Sequence, residues 1–505
     1  MSEPEPSDDL ICPVIIMRHG GLDGVALQKE EYFALLQRLD ISMHVISGRQ
    51  ERVYAPEETD GRAVTIVEQL DFHHPVSRLL FANQFIEGPE KVGVPEIGKE
   101  EWLRLFEEHR AAIRAEVDCA LAATPHNTPV LVYNLLSLRH AQPAAAVALR
   151  DLILQYPNRG FLSHSADPDA ERPEKIVRIH PWALEKISAA EPGQPYDGGP
   201  YRLDNVYHIV LNPTQRAGFV LKYDIDMEHV YEIPDFLAFD SKGPDVAGEP
   251  EPGYLEEIRE QAVVPTEDSY RYTSAEIDEK CVFFLSPVRP VYRKQLKEAM
   301  LVANAYGRKR GQRVVFVVTH PDVDDPGYFL DTVRYAEALE LPYLHLNESR
   351  VSGLERVYRN LASLRTIGIV ASSAGGWENA LNEMARACIP FVMNAGLNSY
   401  RPLTSQMGVR TFGMAFEFLH GLSKARSPEE LRGLDLTVAP NMTPLFHWID
   451  MALGTESREE LVSHNYRQAR RHLSYRPTAI RLWEAILKIY ARHGLPDHPG
   501  EAVEA

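Results

Sequence analysis

The sequence contains no apolar run approaching the roughly 20 residues that a membrane-spanning helix needs. Its first ten residues are acidic and polar, unlike the basic and then apolar start of a secretory signal. Cysteine is scarce. Cys12, Cys119, Cys281 and Cys388 are far apart and form no metal-binding or redox spacing, so all four are expected to be buried apolar residues in a reducing compartment. Positive charge is also short, with 53 Lys and Arg against 72 Asp and Glu and a net charge of −19. That balance excludes a broad nucleic-acid surface but allows a local basic pocket for a small anion. No phosphate loop ending in Gly-Lys-Ser/Thr occurs, and no nucleophile-elbow sequence. The pair His73-His74 has no third ligand at a telling spacing, so no metal is assigned. Low-complexity tracts are absent. These absences lead to the expectation of a cytoplasmic protein.

What is present is a long alternation of short apolar strands and helices. A chain of 505 residues exceeds one hydrophobic core, so two or more domains are expected. A hydrophobic share of 44% and a charged share of 25% suit a soluble globular protein. After a disordered tail at 1–10, strands are predicted at Cys12–Met17, Met43–Ser47, Pro129–Tyr133, Gly160–His164, Val206–Leu211 and Val230–Ile233. Helices are predicted at about 25–39 and 142–156. Residues 241–254 are rich in Pro, Gly and acid and read as a linker. A second alternation starts at Cys281–Leu285 and runs through strands near 314–319, 343–346, 368–370 and 391–394, with helices between. Repeated strand-helix units imply parallel sheets with helices on both faces. The domains are placed at 11–254 and 255–476. A C-terminal amphipathic helix follows from about 477, with Ile480, Trp483, Ile486, Leu487 and Tyr490 expected on its buried face.

Candidate chemistry falls where predicted strands end. The most informative stretch is 370–394, where a strand ends at Val370 and a small-residue loop precedes a helix carrying Glu383. In α/β proteins this carboxyl edge of the sheet is where nucleotides and phosphates bind. Gly375 and Gly376 allow close backbone approach to a ligand. Trp377 follows them. Glu383 has the chemistry to accept from ribose hydroxyls. Arg289 and Lys294 sit at another strand end, as two cations suited to a diphosphate leaving group. In the first half, Gly20 and Gly21 open a helix and offer amides to a phosphate or an acceptor. Asn134 and His164 both end strands. Taken singly, each of these also reads as an ordinary turn, a core residue or a solvated side chain.

Together they resemble retaining GT-B glycosyltransferases of the sucrose-phosphate synthase-type superfamily, closest to the mannosylglucosylglycerate synthase-like group. The resemblance covers most of the chain. It rests on the glycine loop His19 to Gln28, on Tyr133 to Leu138, on His164 with Glu171-Arg172-Pro173, and on Asn212-Pro213-Thr214 and Ile233 to Phe236. It also rests on Arg289 with Lys294, on Trp377 to Pro390, on Asn465-Tyr466 and on Leu473 to Tyr475. The resemblance implies two Rossmann-like domains facing a central cleft, with the last helix crossing back to the first domain. It implies a metal-independent hexosyltransferase with no cofactor beyond a nucleoside diphosphate sugar as co-substrate, and a small hydroxyl-bearing acceptor. Arg289 and Lys294 would neutralise the departing diphosphate, Glu383 would hold the donor ribose, and His164 would contact the sugar.

The sequence departs from the family at two places. Gly375 stands where the family's helix has its first glutamate, seven intervening residues before Glu383, and His164-Ser165 replaces a His-Asp pair, with Asp167 and Asp169 nearby. Gly375 is the ground for an alternative, a catalytically impaired homologue acting as a binding or assembly subunit. A sugar-nucleotide epimerase on the same scaffold is a further alternative. Homo-oligomerisation stays open.

Overall fold

The computed structural model describes residues 14–17, 32, 34–36, 43–49, 64–89, 94–124, 128–165, 168–188, 196–239, 249–261, 263–264, 270–271, 277–319, 326–345, 354–424, 430, 436 and 442–493. The predicted tail at 1–10 and the glycine loop with Gly20 and Gly21 lie outside these residues. The chain divides into two units. The first is 1–236 together with 475–505, and the second is 237–474.

The first unit is built on seven parallel strands: β1 (Val14–Met17), β2 (His44–Ser47), β3 (Thr65–Ile66), β4 (Val130–Tyr133), β5 (Phe161–His164), β6 (Val206–Val210) and β7 (Val230–Glu232). Their order is β3-β2-β1-β4-β5-β6-β7. Strands such as Val-Ile-Ile-Met and Val-Leu-Val-Tyr are apolar at every position because both faces of a parallel sheet are covered. One face packs on the helices Lys99–Ala122 and Pro143–Gln155, through Ile113, Val117, Leu121, Leu149 and Ile153. The other face packs on Tyr32, Leu35, Leu36 and the last helix, Tyr475–His493.

That last helix corrects the sequence reading. Its buried residues are Thr478, Ala479, Leu482, Ala485, Ile486 and Ile489, so Ile486 is buried as expected, whereas Ile480 and Leu487 are exposed. Trp483 is only partly buried, against the edge of the same cluster. The apolar face expected from the bulkiest residues is therefore rotated.

In the second unit the helix Tyr254–Gln261 precedes the antiparallel pair β8 (Val263–Val264) and β9 (Tyr270–Arg271). Its main sheet has six parallel strands: β10 (Val282–Ser286), β11 (Val314–Val318), β12 (Tyr343–His345), β13 (Thr366–Val370), β14 (Phe391–Asn394) and β15 (Phe412–Met414). Their order is β12-β11-β10-β13-β14-β15. Contacts start this unit at Leu237, earlier than the composition-based boundary at 254. Phe239 packs against Cys388, Val462 and Tyr466, and the Glu251 N–H donates to Asn360 Oδ1 at 2.7 Å. The two ends of the unit are pinned together, as the Leu237 N–H donates to the Leu473 carbonyl at 3.0 Å.

Local chemistry explains several other residues. His74 caps the helix Pro75–Asn83, its Nδ1 accepting from the Val76 N–H, and its ring stacks on His109. Asn212 caps Pro213–Ala217, with proline in the first turn where no N–H is needed. Cys281 and Cys388 are buried as expected, but Cys119 is exposed, because it falls on the outer side of the helix Lys99–Ala122. Among the described residues no helix is long and apolar enough to cross a membrane.

Candidate active site

In the second sheet the chain runs outward from β10 through β11 to β12, then returns to pair β13 on the other side of β10. The carboxyl ends of β10 and β13 flank this reversal, the usual ligand crevice of an open α/β sheet. The sequence sends a cation-rich loop to one and a glycine loop to the other.

After β10, the segment 287–291 leads into a short turn, Tyr292–Lys294, and Gln295 then adopts φ 49° before the helix Leu296–Arg310. A left-handed residue with a Cβ costs roughly 1–2 kcal/mol. Here it turns the chain abruptly and places Lys294 inside. The β13 loop, 371–378, is laced to this turn. The Ser373 N–H donates to the Arg293 carbonyl at 2.8 Å, and Arg293 Nη1 donates to the Ala374 carbonyl at 2.9 Å. At the end of β14, Asn394 Nδ2 adds bonds to the Ser372 carbonyl and to Glu417.

The centre of this lacing is an ion pair. Lys294 Nζ lies 2.5 Å from Glu378 Oε2, and both residues are 6% exposed. Arg293 Nη1 lies 3.6 Å from Glu378 Oε1. Burial, then Arg293 and Arg289, push the Lys294 pKa down and Glu378 opposes them, which leaves it at about 8. Arg289 is half-buried in the same loop. Three cations against one carboxylate leave the cluster positive.

Gly375 and Gly376 lie in the β13 loop. A Cβ on Gly375 would stand 2.9 Å from Glu378 Oε1. Trp377 is buried, and its indole N–H donates to Asn382 at 3.0 Å, which clamps the loop to the helix Asn379–Arg386. Glu383 is half-buried on that helix and accepts from the Tyr358 hydroxyl at 2.5 Å. The structure thus brings Lys294, Arg293, Gly375 and Glu378 together, with Glu383 five residues further along on Tyr358. On the outer side of the cation turn, the exposed Tyr292 hydroxyl bonds His420 Nε2 at 2.8 Å, and His420 Nδ1 bonds the buried Glu298 at 2.8 Å.

Sequence reasoning missed Glu378 and Arg293. Arg293 adjoins Lys294, and Glu378 stands at the loop-helix junction, so position alone was a signal for both.

In the first unit, His164 is 1% exposed. Its ring stacks on Tyr133 with centroids 4.3 Å apart, meets Tyr32 edge-on, and has Nε2 3.9 Å from Asp235 Oδ1. Asn134 follows at φ 55°, its N–H donating to the His164 carbonyl at 3.1 Å. Asp169 is fully buried and accepts from the His140 ring, the His140 N–H and the Tyr196 hydroxyl. Burial raises its pKa, and the bonds from His140 and Tyr196 outweigh this, so the carboxyl stays below the usual range. Asp169 is therefore an anchor of the segment after β4.

No protein-family model matches the sequence, and no curated protein matches it. Solved structures do. The chain is similar to a sucrose-phosphate synthase from Thermosynechococcus elongatus, with TM-score 0.56 and 10% identity over 95% of this chain and 99% of that one. It is similar to WaaG, a glycosyltransferase involved in lipopolysaccharide biosynthesis, with TM-score 0.54 and 12% identity over 94% of this chain and 99% of that one. A UDP-forming α,α-trehalose-phosphate synthase from Burkholderia xenovorans gives TM-score 0.54 and 13% identity, over 95% of this chain and 99% of that one. At such identities the likeness is one of fold. The chain has the two-sheet GT-B fold of these glycosyltransferases.

Proposed function

We propose that this protein is a retaining glycosyltransferase that moves a hexose from a nucleoside diphosphate sugar to a small hydroxyl-bearing acceptor. The observation that carries this reading is the cluster of Arg289, Arg293 and Lys294 at the strand-order reversal of a parallel sheet. Cations fixed before reaction at that edge are suited to a departing diphosphate, whose charge grows as the glycosidic bond breaks. In this reading Glu383 accepts from the donor ribose, and Gly375, Gly376 and Trp377 shape the loop beside the phosphates. Gly20 and Gly21 offer amides to the donor phosphates or to the acceptor, and Asn134 belongs to the same ligand-binding set. His164 contacts the transferred sugar in this reading; its carbonyl accepts from the Asn134 N–H, and its ring packs among Tyr133 and Tyr32. No cofactor is invoked beyond the co-substrate.

A second reading is a homologue that binds nucleotide without turnover. Gly375 favours it, since the resemblance puts a glutamate there. A panel of nucleoside diphosphate sugars, incubated with and without small sugars, glycerol and glycerate, tests both. Products are identified by mass spectrometry, and their anomeric configuration by NMR. Acceptor-dependent transfer with retention is expected. Binding without transfer would favour the second reading, conversion without acceptor would favour an epimerase, and absence of any nucleotide binding would overturn all three.

A further inference from the structure

We infer that Glu378 is the resident counter-ion of Lys294, a positioning residue that fixes the buried ammonium, keeps it charged, and competes for it with an incoming diphosphate. The competition rests on the reading of this cluster as a diphosphate site, while the counter-ion role does not.

Four observations carry the inference. The pair is short and buried, with 2.5 Å between Nζ and Oε2. Glu378 stands at the N-cap of Asn379–Arg386, where a carboxylate commonly accepts from the first-turn amides, yet its side chain makes no capping bond. Its Oε1 is buried and takes no hydrogen bond from the described residues, with Arg293 at 3.6 Å. The carboxylate is thus held by the cations and not by the helix it begins. Finally, the carboxylate occupies space beside Gly375 that a Cβ would crowd, for a Cβ there would meet Oε1 at 2.9 Å.

The charges acting on Lys294 are Arg293, Arg289 and Glu378. Two of the three oppose its protonation and Glu378 alone favours it. Removing the Glu378 charge therefore has two opposite effects. Where Lys294 remains protonated, the cluster gains net positive charge and binds an anion more tightly. At higher pH, Lys294 loses its proton sooner and binding fades earlier.

The test uses full-length protein labelled with ¹³Cε-lysine. The Lys294 resonance is assigned by its loss in Lys294→Arg, and pyrophosphate and UDP binding are measured by calorimetry at acid and alkaline pH. Lys294 should titrate near 8 in the unmodified protein. In Glu378→Gln the midpoint should fall by about one pH unit, a tenfold change in proton affinity. Glu378→Asp, which keeps the charge but shortens its reach, should shift it less. Gly375→Ala should shift it in the same direction as Glu378→Gln, by pushing the carboxylate aside, and carries the test if Glu378→Gln does not fold. Pyrophosphate should bind Glu378→Gln several-fold more tightly at acid pH and more weakly at alkaline pH. An unmoved Lys294 titration in these variants overturns the counter-ion role, whether or not pyrophosphate binds. A shifted titration with no diphosphate binding by any variant leaves that role standing and removes the functional reading instead.

Discussion

Gly160 lies against Ile489 so closely that a Cβ on the glycine would fall 2.0 Å from Ile489 Cγ2. The contact joins the start of β5 to the last helix, and only glycine permits it. Gly160→Ala should therefore overpack the joint and cost about 1–3 kcal/mol. Urea denaturation measures this. Ile489→Ala added to Gly160→Ala should cost less than the sum of the two single changes, since the smaller side chain relieves the clash.

The same helix offers a paired test of its face. Leu482 is 1% exposed and Ile480 is 52% exposed. Leu482→Asp buries an unpaired carboxylate and should cost on the order of 4 kcal/mol or prevent folding. Ile480→Asp should stay within about 0.5 kcal/mol. Truncation after Arg476 removes the helix's share of the cover and should leave the first unit aggregated, as read by light scattering.

Lys294 and Arg289 should separate in stability. Lys294→Ala leaves the buried Glu378 without its closest partner, which should cost about 3 kcal/mol in denaturant melts. The double change Lys294→Met with Glu378→Leu should recover most of that loss. Arg289→Ala should spare the fold and lower transfer about a hundredfold, through a lost contact worth roughly 3 kcal/mol to the departing diphosphate. Full turnover by Arg289→Ala would remove it from the site.

Glu383→Ala should weaken nucleotide affinity by about 1.5–3 kcal/mol if its carboxylate bonds ribose hydroxyls. Tyr358→Phe removes the hydroxyl that donates to Glu383 and should cost about 1 kcal/mol of stability. Calorimetry with UDP or GDP reads the first, and melting reads the second. Equal affinity in Glu383→Ala and the unmodified protein would exclude Glu383 as a nucleotide ligand.

Acid should destabilise the first unit through two histidines. Burial pushes His109 down to about 4 and His208 down to about 3, both below the ordinary 6.5. Unfolded chains bind these protons near pH 6.5 and the folded unit does not, so stability falls as pH drops from about 6.5 towards those values. Each imidazole contributes on the order of 1.4 kcal/mol per pH unit in that window. Denaturation midpoints from pH 7 to 5 read the slope, and His208→Gln should flatten it.

The strands were legible because each is apolar along its length, and β14 lies at Phe391–Asn394 as expected. The helix Lys99–Ala122 went unread. Its stripe of Trp102, Phe106, His109, Ile113 and Val117 is narrow, and a buried histidine interrupts it. The buried face of the last helix was misjudged because Gly160, the residue that receives it, lies far away in sequence. The cations of the site were visible as a cluster of like charge. Their carboxylate was not, since Glu378 is 84 residues from Lys294 and meets it only because β13 pairs with β10.

The neck between Leu237 and Leu473 has a consequence for synthesis. The second unit is an insertion whose two ends are already tied to each other, so it can complete itself on the ribosome as soon as Leu473 emerges. The first unit begins earlier and finishes later. One face of its sheet waits for Leu482, Ile486 and Ile489, at least 250 residues after Glu232 ends β7. Domains generally fold in the order they are made. Here the order is reversed: the half of the protein whose strands are translated first stays open on one side until the helix Tyr475–His493 has been made.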